Sequence, residues 1–196
     1  MNKNLFPFRV LILAVGLFFS GHSVLAQPGK VYKSLSEVKS PEDVYILKLR
    51  WDRLKSIPPE VFSFVNLREL DLSRNSIDTI PPQIAYLQHL EVLNLARNAI
   101  HYLPDEIALL PSLRRIDVSR NPLMELPDNM SFMVSLRELV LWSTNLYRLP
   151  ETFGELDGTL EVLDLRSCQL SISDQETIEA LLPSVKKLWD QACNCR

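Results

Sequence analysis

The sequence has few of the side chains that enzymes most often use for catalysis. Its 196 residues include three histidines, three cysteines and five glycines. His89 and His101 have no serine or cysteine nucleophile placed to use them, and the sequence contains neither a glycine-rich phosphate loop nor a metal-ligand cluster. We therefore expect a protein that is not an enzyme and that needs no cofactor or metal, because no set of residues supports a hydrolase or transferase.

The chain also lacks an apolar run long enough to span a membrane. The run from Val10 to Phe19 has ten residues, whereas a bilayer needs about 20. Two basic residues precede the run, and Val24-Leu25-Ala26 follows it with small side chains. This pattern predicts a signal peptide over residues 1–26, cleaved before Gln27, of bacterial type. The protein would then be secreted, periplasmic or at the cell surface; a membrane anchor is the alternative.

An excess of basic charge is absent as well. The mature chain would carry 19 basic and 24 acidic residues, a formal charge of −5 over 170 residues. Nucleic-acid binding needs a basic stripe, and docking on anionic lipid needs clustered basic residues, so neither partner is expected. A chain of this length can form one domain with its own core, and we expect a monomer.

A repeat of 23 residues fills most of the chain. Leu67, Leu70, Leu72, Asn75 and Ile77 set a pattern, L-x-x-L-x-L-x-x-N-x-L, that recurs at intervals of 23 residues, and an apolar–proline pair recurs in step with it. A period of this length predicts a repeat solenoid. The repeats begin at Val44, Leu67, Leu90, Leu113, Leu136 and Leu160, the last one residue late because of an insertion near Asp157-Gly158-Thr159.

Each repeat divides into two halves with different periods. The L-x-L core alternates inward leucines with outward polar residues, which is the period of a strand. After the proline, apolar residues lie three apart, which suits a helical or 3₁₀ turn. Stacking predicts an α/β solenoid of about six repeats, with a parallel β-sheet on the concave face and short helical or 3₁₀ turns on the convex face.

These repeats resemble the leucine-rich repeat family with L-P-x-x-I spacing, which includes scribble-type scaffolds, plant Ras-group repeat proteins and many bacterial secreted proteins. Leu103-Pro104-Asp105-Glu106-Ile107 matches that spacing best, and the resemblance covers roughly 44–182. It implies a structural ladder at the ninth position of each repeat, where an inward side chain hydrogen-bonds backbone groups of its own coil and the next. The ladder residues are Asp52, Asn75, Asn98, Asn121, Thr144 and Cys168.

The ends of the solenoid need caps, because the outermost coils have no neighbour to cover their apolar sides. We predict that residues 27–43 form a flexible leader and a short helix that begins with the capping-box spacing Ser34 to Glu37. The repeats then occupy 44–172. Residues 173–196 form the other cap, with a helix that begins at Ser173 and a truncated strand after it.

Two cysteines lie where the last two coils are predicted to stack. If Val185 is the first position of the truncated repeat, Cys193 takes the ninth position and stacks on Cys168 at about one strand spacing, 4.8 Å. That separation allows a disulfide, and export supplies an oxidising compartment. A buried, reduced Cys168 with a frayed tail is the alternative. A metal site built from Cys193 and Cys195 is disfavoured, because no third ligand lies near.

Outward side chains at equivalent positions should form columns across the sheet. The fifth position contains Asp71, Asn94 and Asp117, and the eighth contains Arg74, Arg97 and Arg120. One interpretation is a lattice of exposed charges that offset one another; the other is a binding surface. Exposed aromatic and arginine side chains are typical of interface hot spots. The candidate partner-binding residues are Trp142, Val140, Arg166, Arg120, Arg97, Arg74, Asp117 and Trp51.

The resemblance and the outward columns together favour a non-enzymatic module that binds a protein or peptide partner on its concave sheet. Trp142 and Val140 are large apolar groups in columns that are otherwise polar or small, although Trp142 could instead cover a neighbouring strand. The alternative function is a structural, self-associating spacer of the cell surface or envelope.

Overall fold

Eight short strands stack in chain order into one parallel sheet. The structure is a computed structural model that describes residues 29–190. The predicted signal peptide with its cleavage site, and the tail that contains Cys193 and Cys195, lie outside the described residues. The strands are β1 Val31–Tyr32, β2 Ile46–Lys48, β3 Glu69–Asp71, β4 Val92–Asn94, β5 Arg115–Asp117, β6 Glu138–Val140, β7 Val162–Asp164 and β8 Lys186–Leu188.

The register of the sheet follows the 23-residue period. Leu70 pairs with Leu93, which pairs with Ile116, so equivalent positions stack directly on one another. Between β6 and β7 the offset is 24 residues, since Val140 pairs with Asp164, and the extra residue falls near the exposed Gly158. A constant register lets the same inward position form a continuous apolar column through the stack.

Short 3₁₀ segments form the other side of the coils. Those within the repeats are Pro59–Ser63, Pro82–Tyr86, Asp105–Leu109, Asp128–Phe132 and Glu151–Leu156, and each is preceded by a proline. Proline suits this place because its fixed φ begins a helical turn and its missing N–H would have no partner there. Each segment turns one large side chain, such as Ile84 or Phe153, fully into the core. The predicted fold class is therefore confirmed.

Asparagines at the ninth position connect neighbouring coils. The Nδ2 group of Asn98 donates to the carbonyl oxygens of Leu72 and Leu95 at 3.1 and 2.9 Å, and its Oδ1 accepts from the Ile77 amide at 3.0 Å. Asn75 and Asn121 make the same three types of bond in their own coils. These bonds satisfy backbone groups that burial would otherwise leave unpaired.

The N-terminal end departs from the prediction in one respect. Val31 and Tyr32, which we expected to lie in a flexible leader, form β1 and pair with Ile46 and Leu47. Tyr32 is buried, so the edge of the first repeat is covered by backbone pairing as well as by the predicted short helix. That helix is a 3₁₀ segment, Leu35–Glu37, with Ser34 as its N-cap. A second one, Pro41–Asp43, follows it.

The C-terminal helix begins two residues earlier than we expected. Helix α1 spans Ile172–Leu181, and its N-cap is Ser171 rather than Ser173. The Ser171 hydroxyl accepts from the Asp174 amide, and the Asp174 carboxylate accepts from the Ser171 amide. A capping box therefore begins the helix, but it runs from Ser171 to Asp174. The hydrogen bond from Ser171 holds the pKa of Asp174 below its ordinary value.

The register of the last strand is also one residue away from the prediction. Leu163 pairs with Lys187 and Asp164 with Leu188, which makes Ser184, not Val185, the first position of the truncated repeat. Lys187 therefore continues the inward leucine column, and its side chain is only 6% exposed. Its Nζ donates to the Leu182 carbonyl oxygen at 2.6 Å and lies 2.9 Å from a Glu179 carboxylate oxygen. A lysine suits this place because the core ends there.

Replacing Asn98 by alanine should lower the free energy of unfolding by about 1–3 kcal/mol, because three backbone groups lose their partner. Thermal unfolding followed by circular dichroism measures the loss. Asp52→Ala is the control, since Asp52 occupies the same position in the first repeat but is exposed, and its effect should stay within about 0.5 kcal/mol. Equal destabilisation by the two substitutions would contradict a ladder role for Asn98.

The ion pair of Lys187 should make the stability of the C-terminal cap depend on pH. Hydrogen bonds from Lys187 and Trp189 hold the pKa of Glu179 below its ordinary 4.5. The contribution of Glu179 is thus complete above pH 4.5 and is lost as pH falls through the lower folded value. Because Glu179 is half exposed, Glu179→Gln should cost only about 1 kcal/mol at pH 7.

The difference in melting temperature between Glu179→Gln and the unmodified protein should shrink as the pH is lowered from 7 to 3. Lys187→Met is the matched variant, because it restores an apolar side chain to the column and should be no less stable than the unmodified protein at pH 7. A difference that stays constant over the whole pH range would refute the assigned ion pair.

Candidate functional site

Acidic or amide side chains at the fifth position close the turn in four of the repeats, after strands β3, β4, β5 and β7. Oδ1 of Asp71 accepts from the Ser73 amide at 2.9 Å, and Oδ1 of Asn94 accepts from the Ala96 amide at 3.0 Å. Asp117 and Asp164 accept from the equivalent amides of their own repeats. These carboxylates hold backbone in place and are not free to attract a partner.

The eighth position has an unusual backbone conformation in every repeat, whether or not a fifth-position side chain closes the turn. All six residues there have a φ between 53 and 66°, in the left-handed region that favours glycine, and none of them is glycine. A side chain with a Cβ costs about 1–2 kcal/mol in this region. The six residues are Trp51, Arg74, Arg97, Arg120, Ser143 and Ser167. The chain thus maintains side chains where glycine would be the least strained choice.

Two of the arginines at the eighth position stack on tryptophans of adjacent coils. The guanidinium carbon of Arg74 lies 4.6 Å from the centre of the Trp51 ring, and that of Arg120 lies 4.2 Å from the centre of the Trp142 ring. Arg97 lies between them and is exposed. We call these five residues the arginine row. It crosses five consecutive coils along the edge of the sheet where the strands end.

The predicted charge lattice exists, but its pairs are different from those expected. Asp71 pairs with Arg50 at 3.5 Å, Asp117 with Arg115 at 3.7 Å, and Asp164 with Arg166 at 2.6 Å. Lys48 of the fifth column pairs with Glu69 of the third, and Arg115 pairs with Glu138 within the third column. Within residues 29–190, the three arginines of the arginine row take part in no ion pair. Their charges therefore remain available to a partner.

The structure divides the eight candidate partner-binding residues into two groups. Trp51, Arg74, Arg97, Arg120 and Trp142 come together in the arginine row, with Trp51 66% exposed and Trp142 half-buried. The other three residues have structural contacts. Asp117 closes a turn, and the hydrogen bonds of Arg166 to Asp164 raise the pKa of this guanidinium. Val140, expected to be outward and exposed, is 92% buried.

Cys168 occupies the ninth position of the last full repeat. Its Sγ lies 3.3 Å from Oγ1 of Thr144 and donates to the Leu141 carbonyl oxygen at 3.3 Å. Burial raises the pKa of this thiol, so the sulfur stays protonated and is a poor nucleophile. Cys193, the other partner of the predicted disulfide, lies outside the described residues, so the disulfide stays a prediction.

Neither a metal centre nor a catalytic cluster stands out among residues 29–190. No group of three or more histidine, cysteine, aspartate or glutamate side chains is close enough there to hold a metal ion. A surface concavity of about 680 Å³ lies beside the 3₁₀ segments of the fourth and fifth repeats, lined in part by Glu125, Arg148 and Thr152. A hydrogen bond from Tyr147 lowers the pKa of Glu125, and Arg148 pairs with the same carboxylate.

Sequence reasoning identified the members of the arginine row but missed how they pack. The missed signal is that the slanted hydrogen bonds of the parallel sheet continue past the strands, although equivalent positions stay in register. The Arg120 amide donates to the Trp142 carbonyl oxygen at 2.8 Å, as the Arg97 amide does to that of Ser119. The eighth position of one coil therefore lies beside the seventh position of the next, which brings Arg120 and Trp142 together although they belong to different columns.

An open parallel sheet backed by short 3₁₀ segments defines a solenoid protein whose broad surface is suited to binding. The leucine-rich repeat region family model matches residues 47–192. The chain belongs to the leucine-rich repeat family, as the repeats themselves indicate. No curated protein sequence matches the chain at a significant level.

Solved structures show the same architecture. A leucine-rich repeat protein of Leptospira interrogans is 32% identical over 74% of this chain, with a TM-score of 0.66. An internalin of Listeria monocytogenes is 22% identical over 75% of the chain, with a TM-score of 0.65, and supports the fold alone. The leucine-rich repeat ectodomain of an Arabidopsis thaliana membrane receptor kinase, GASSHO1/SCHENGEN3, is 25% identical over 66%, with a TM-score of 0.57.

This chain spans only part of each of those proteins: 35% of the Leptospira protein, 41% of the internalin and 16% of the receptor ectodomain. In the part of the chain that the structure describes, no helix is both long and apolar enough to cross a bilayer.

Replacing an eighth-position arginine by glycine should show whether that side chain is needed for the stability of the fold. Arg97→Gly should be at least as stable as the unmodified protein, with a gain of up to about 1 kcal/mol, because relief of left-handed strain exceeds the entropy cost of glycine. Ser167→Gly is the matched control at the same position outside the row, and should gain a similar amount. A loss of more than about 1 kcal/mol in Arg97→Gly alone, measured by denaturant unfolding, would show that Arg97 stabilises the fold.

Proposed function

We propose that this protein is an exported, non-enzymatic module that binds a protein or peptide partner on the outward face of its sheet. The arginine row is the observation that carries the proposal. It places tryptophan and arginine, the residues most enriched in interface hot spots, side by side across five coils. Four of these side chains, those of Trp51, Arg74, Arg97 and Arg120, occupy left-handed positions that the fold would fill more easily with glycine.

The comparisons support the same class of function. The Arabidopsis receptor ectodomain was solved in complex with CASPARIAN STRIP INTEGRITY FACTOR 2, so a leucine-rich repeat ectodomain of similar fold has a binding partner. Its description as an ectodomain also agrees with export of the present chain, which the apolar N-terminal segment predicts. The negative net charge of the chain argues for a protein or peptide partner rather than nucleic acid.

A self-associating spacer is the second candidate, and a specific feature favours it. Large apolar side chains are exposed on the 3₁₀ side of consecutive coils: Tyr86, Leu109 and Phe132 are 66, 59 and 75% exposed. An exposed apolar stripe of this kind can join two copies of a chain. Sedimentation velocity over a wide concentration range separates the two functions, because association that Phe132→Ala abolishes would favour the spacer.

Trp142→Ala should weaken the binding of a purified partner at least tenfold, a loss of about 1.4 kcal/mol or more. The partner can be isolated from the native envelope with the mature domain as bait and titrated by calorimetry. Phe132→Ala is the control, because it removes an aromatic ring of similar size from the opposite side. Unchanged affinity in a Trp142→Ala variant that melts normally would exclude Trp142 from the binding surface.

A further inference from the structure

We propose that the arginine row recognises an extended, acidic segment of a polypeptide; this rests on the proposed function and specifies the chemistry of the partner. The three arginines belong to consecutive coils, so their backbones repeat at about the strand spacing of 4.8 Å. The guanidinium groups of Arg74 and Arg120 reach away from Arg97, toward Trp51 and Trp142. Carboxylates are the protein groups that match guanidinium geometry, because two parallel N–H···O bonds can form with each. The geometry points to several carboxylates in a row rather than to a single anion.

No ion pair within the described residues neutralises the positive charge of the arginine row. The nearest acidic column, at the fifth position, is engaged by backbone amides and by other arginines: Asp71 binds the Ser73 amide and Arg50, and Asp117 binds the Ser119 amide and Arg115. An incoming carboxylate therefore displaces no internal ion pair of Arg74, Arg97 or Arg120 in the described part of the chain. The attraction between this carboxylate and the arginines is then opposed mainly by the desolvation of the charged groups.

The two tryptophans prepare the guanidinium groups for this task. Stacking on Trp51 and Trp142 covers one face of the Arg74 and Arg120 guanidinium groups, at 4.6 and 4.2 Å. A stacked guanidinium keeps its N–H donors in the plane of the group, where they can still bind a carboxylate. Ordering these side chains before binding also reduces the entropy that a partner must overcome.

The dimensions and surroundings of the row favour a short acidic segment over a long uniform polyanion. From Trp51 to Trp142 the row crosses five coils, about 19 Å at the strand spacing, which an extended peptide covers with about six residues. Acidic residues also occur on the strands before the row and in the chain after it: Glu69 and Glu138, which pair with Lys48 and Arg115, and the exposed Asp78. A nucleic acid or a sulfated glycan, charged along its whole length, would meet these acids.

A labelled hexaglutamate peptide tests the proposal directly with the mature protein. Fluorescence anisotropy at low ionic strength should show binding that weakens as salt is added, whereas hexaglutamine and hexalysine should not bind. Arg97→Gln should weaken hexaglutamate binding about five- to tenfold, and the triple variant Arg74→Gln, Arg97→Gln, Arg120→Gln should abolish it. Arg148→Gln, which removes the same charge from the concavity on the 3₁₀ side, should change the affinity less than twofold.

Other results would overturn the inference. Equal weakening by Arg148→Gln and Arg97→Gln would mean that only net charge matters. Equal binding of hexaglutamine would mean that the carboxylates are not recognised. Tighter, row-dependent binding of a heparin hexasaccharide would assign the row to a sulfated glycan instead of a peptide.

A titration with the isolated partner distinguishes this inference from the proposed function. Affinity that falls in Trp142→Ala but not in the triple glutamine variant would uphold the sheet as a binding surface and refute its acidic specificity. Affinity that falls in both would support both. Affinity that changes in neither, while Phe132→Ala abolishes it, would refute the proposed function itself.

Discussion

The structure depends on satisfying the backbone groups at the point where each strand ends. There the chain must leave a parallel sheet and turn across the stack, and its amides and carbonyls would be buried without partners. In the second, third and fourth repeats, two side chains solve the problem. A ninth-position asparagine such as Asn98 bonds three backbone groups in its own coil and the preceding coil. A fifth-position acid or amide such as Asp71 bonds the amide two residues on.

The geometry of these turns determines where a binding surface can form. In all six repeats the eighth residue is held in the left-handed region at the edge of the sheet, including the first and fifth repeats, whose fifth position offers no acceptor. Side chains at the eighth position add little to the core, and the left-handed backbone there costs free energy. A requirement other than core packing, such as binding, can therefore determine which residue occurs there. Arginine in three consecutive repeats, with a tryptophan beside each outer arginine, is the result.

The sequence predicted the periodic part of the molecule well and the ends less well. Strands β2 to β7 and the 3₁₀ segments recur with the period, so each repeat supports the assignment of the others. The ends have no such support. Val31 pairs in the sheet without a repeat motif, and Lys187 takes a leucine position because its ammonium group can reach Glu179 where the core stops. The members of the arginine row were likewise predictable. Trp51 and Arg74 share the eighth-position column, but Arg120 stacks on a seventh-position residue, Trp142, and the columns do not reveal that contact.

The two tryptophans mark the limits of the row for a physical reason. They belong to the first and fifth repeats, and those are the repeats whose fifth position is Lys48 or Val140 and therefore offers no acceptor to the turn. The repeats between them carry Asp71, Asn94 and Asp117, each bonded to the amide two residues on. The arginines thus lie on turns that a fifth-position side chain closes. The tryptophans lie in the repeats on either side, which have no such acceptor. The breaks in the fifth-position pattern, which the fold tolerates, coincide with the aromatic boundaries of the arginine row.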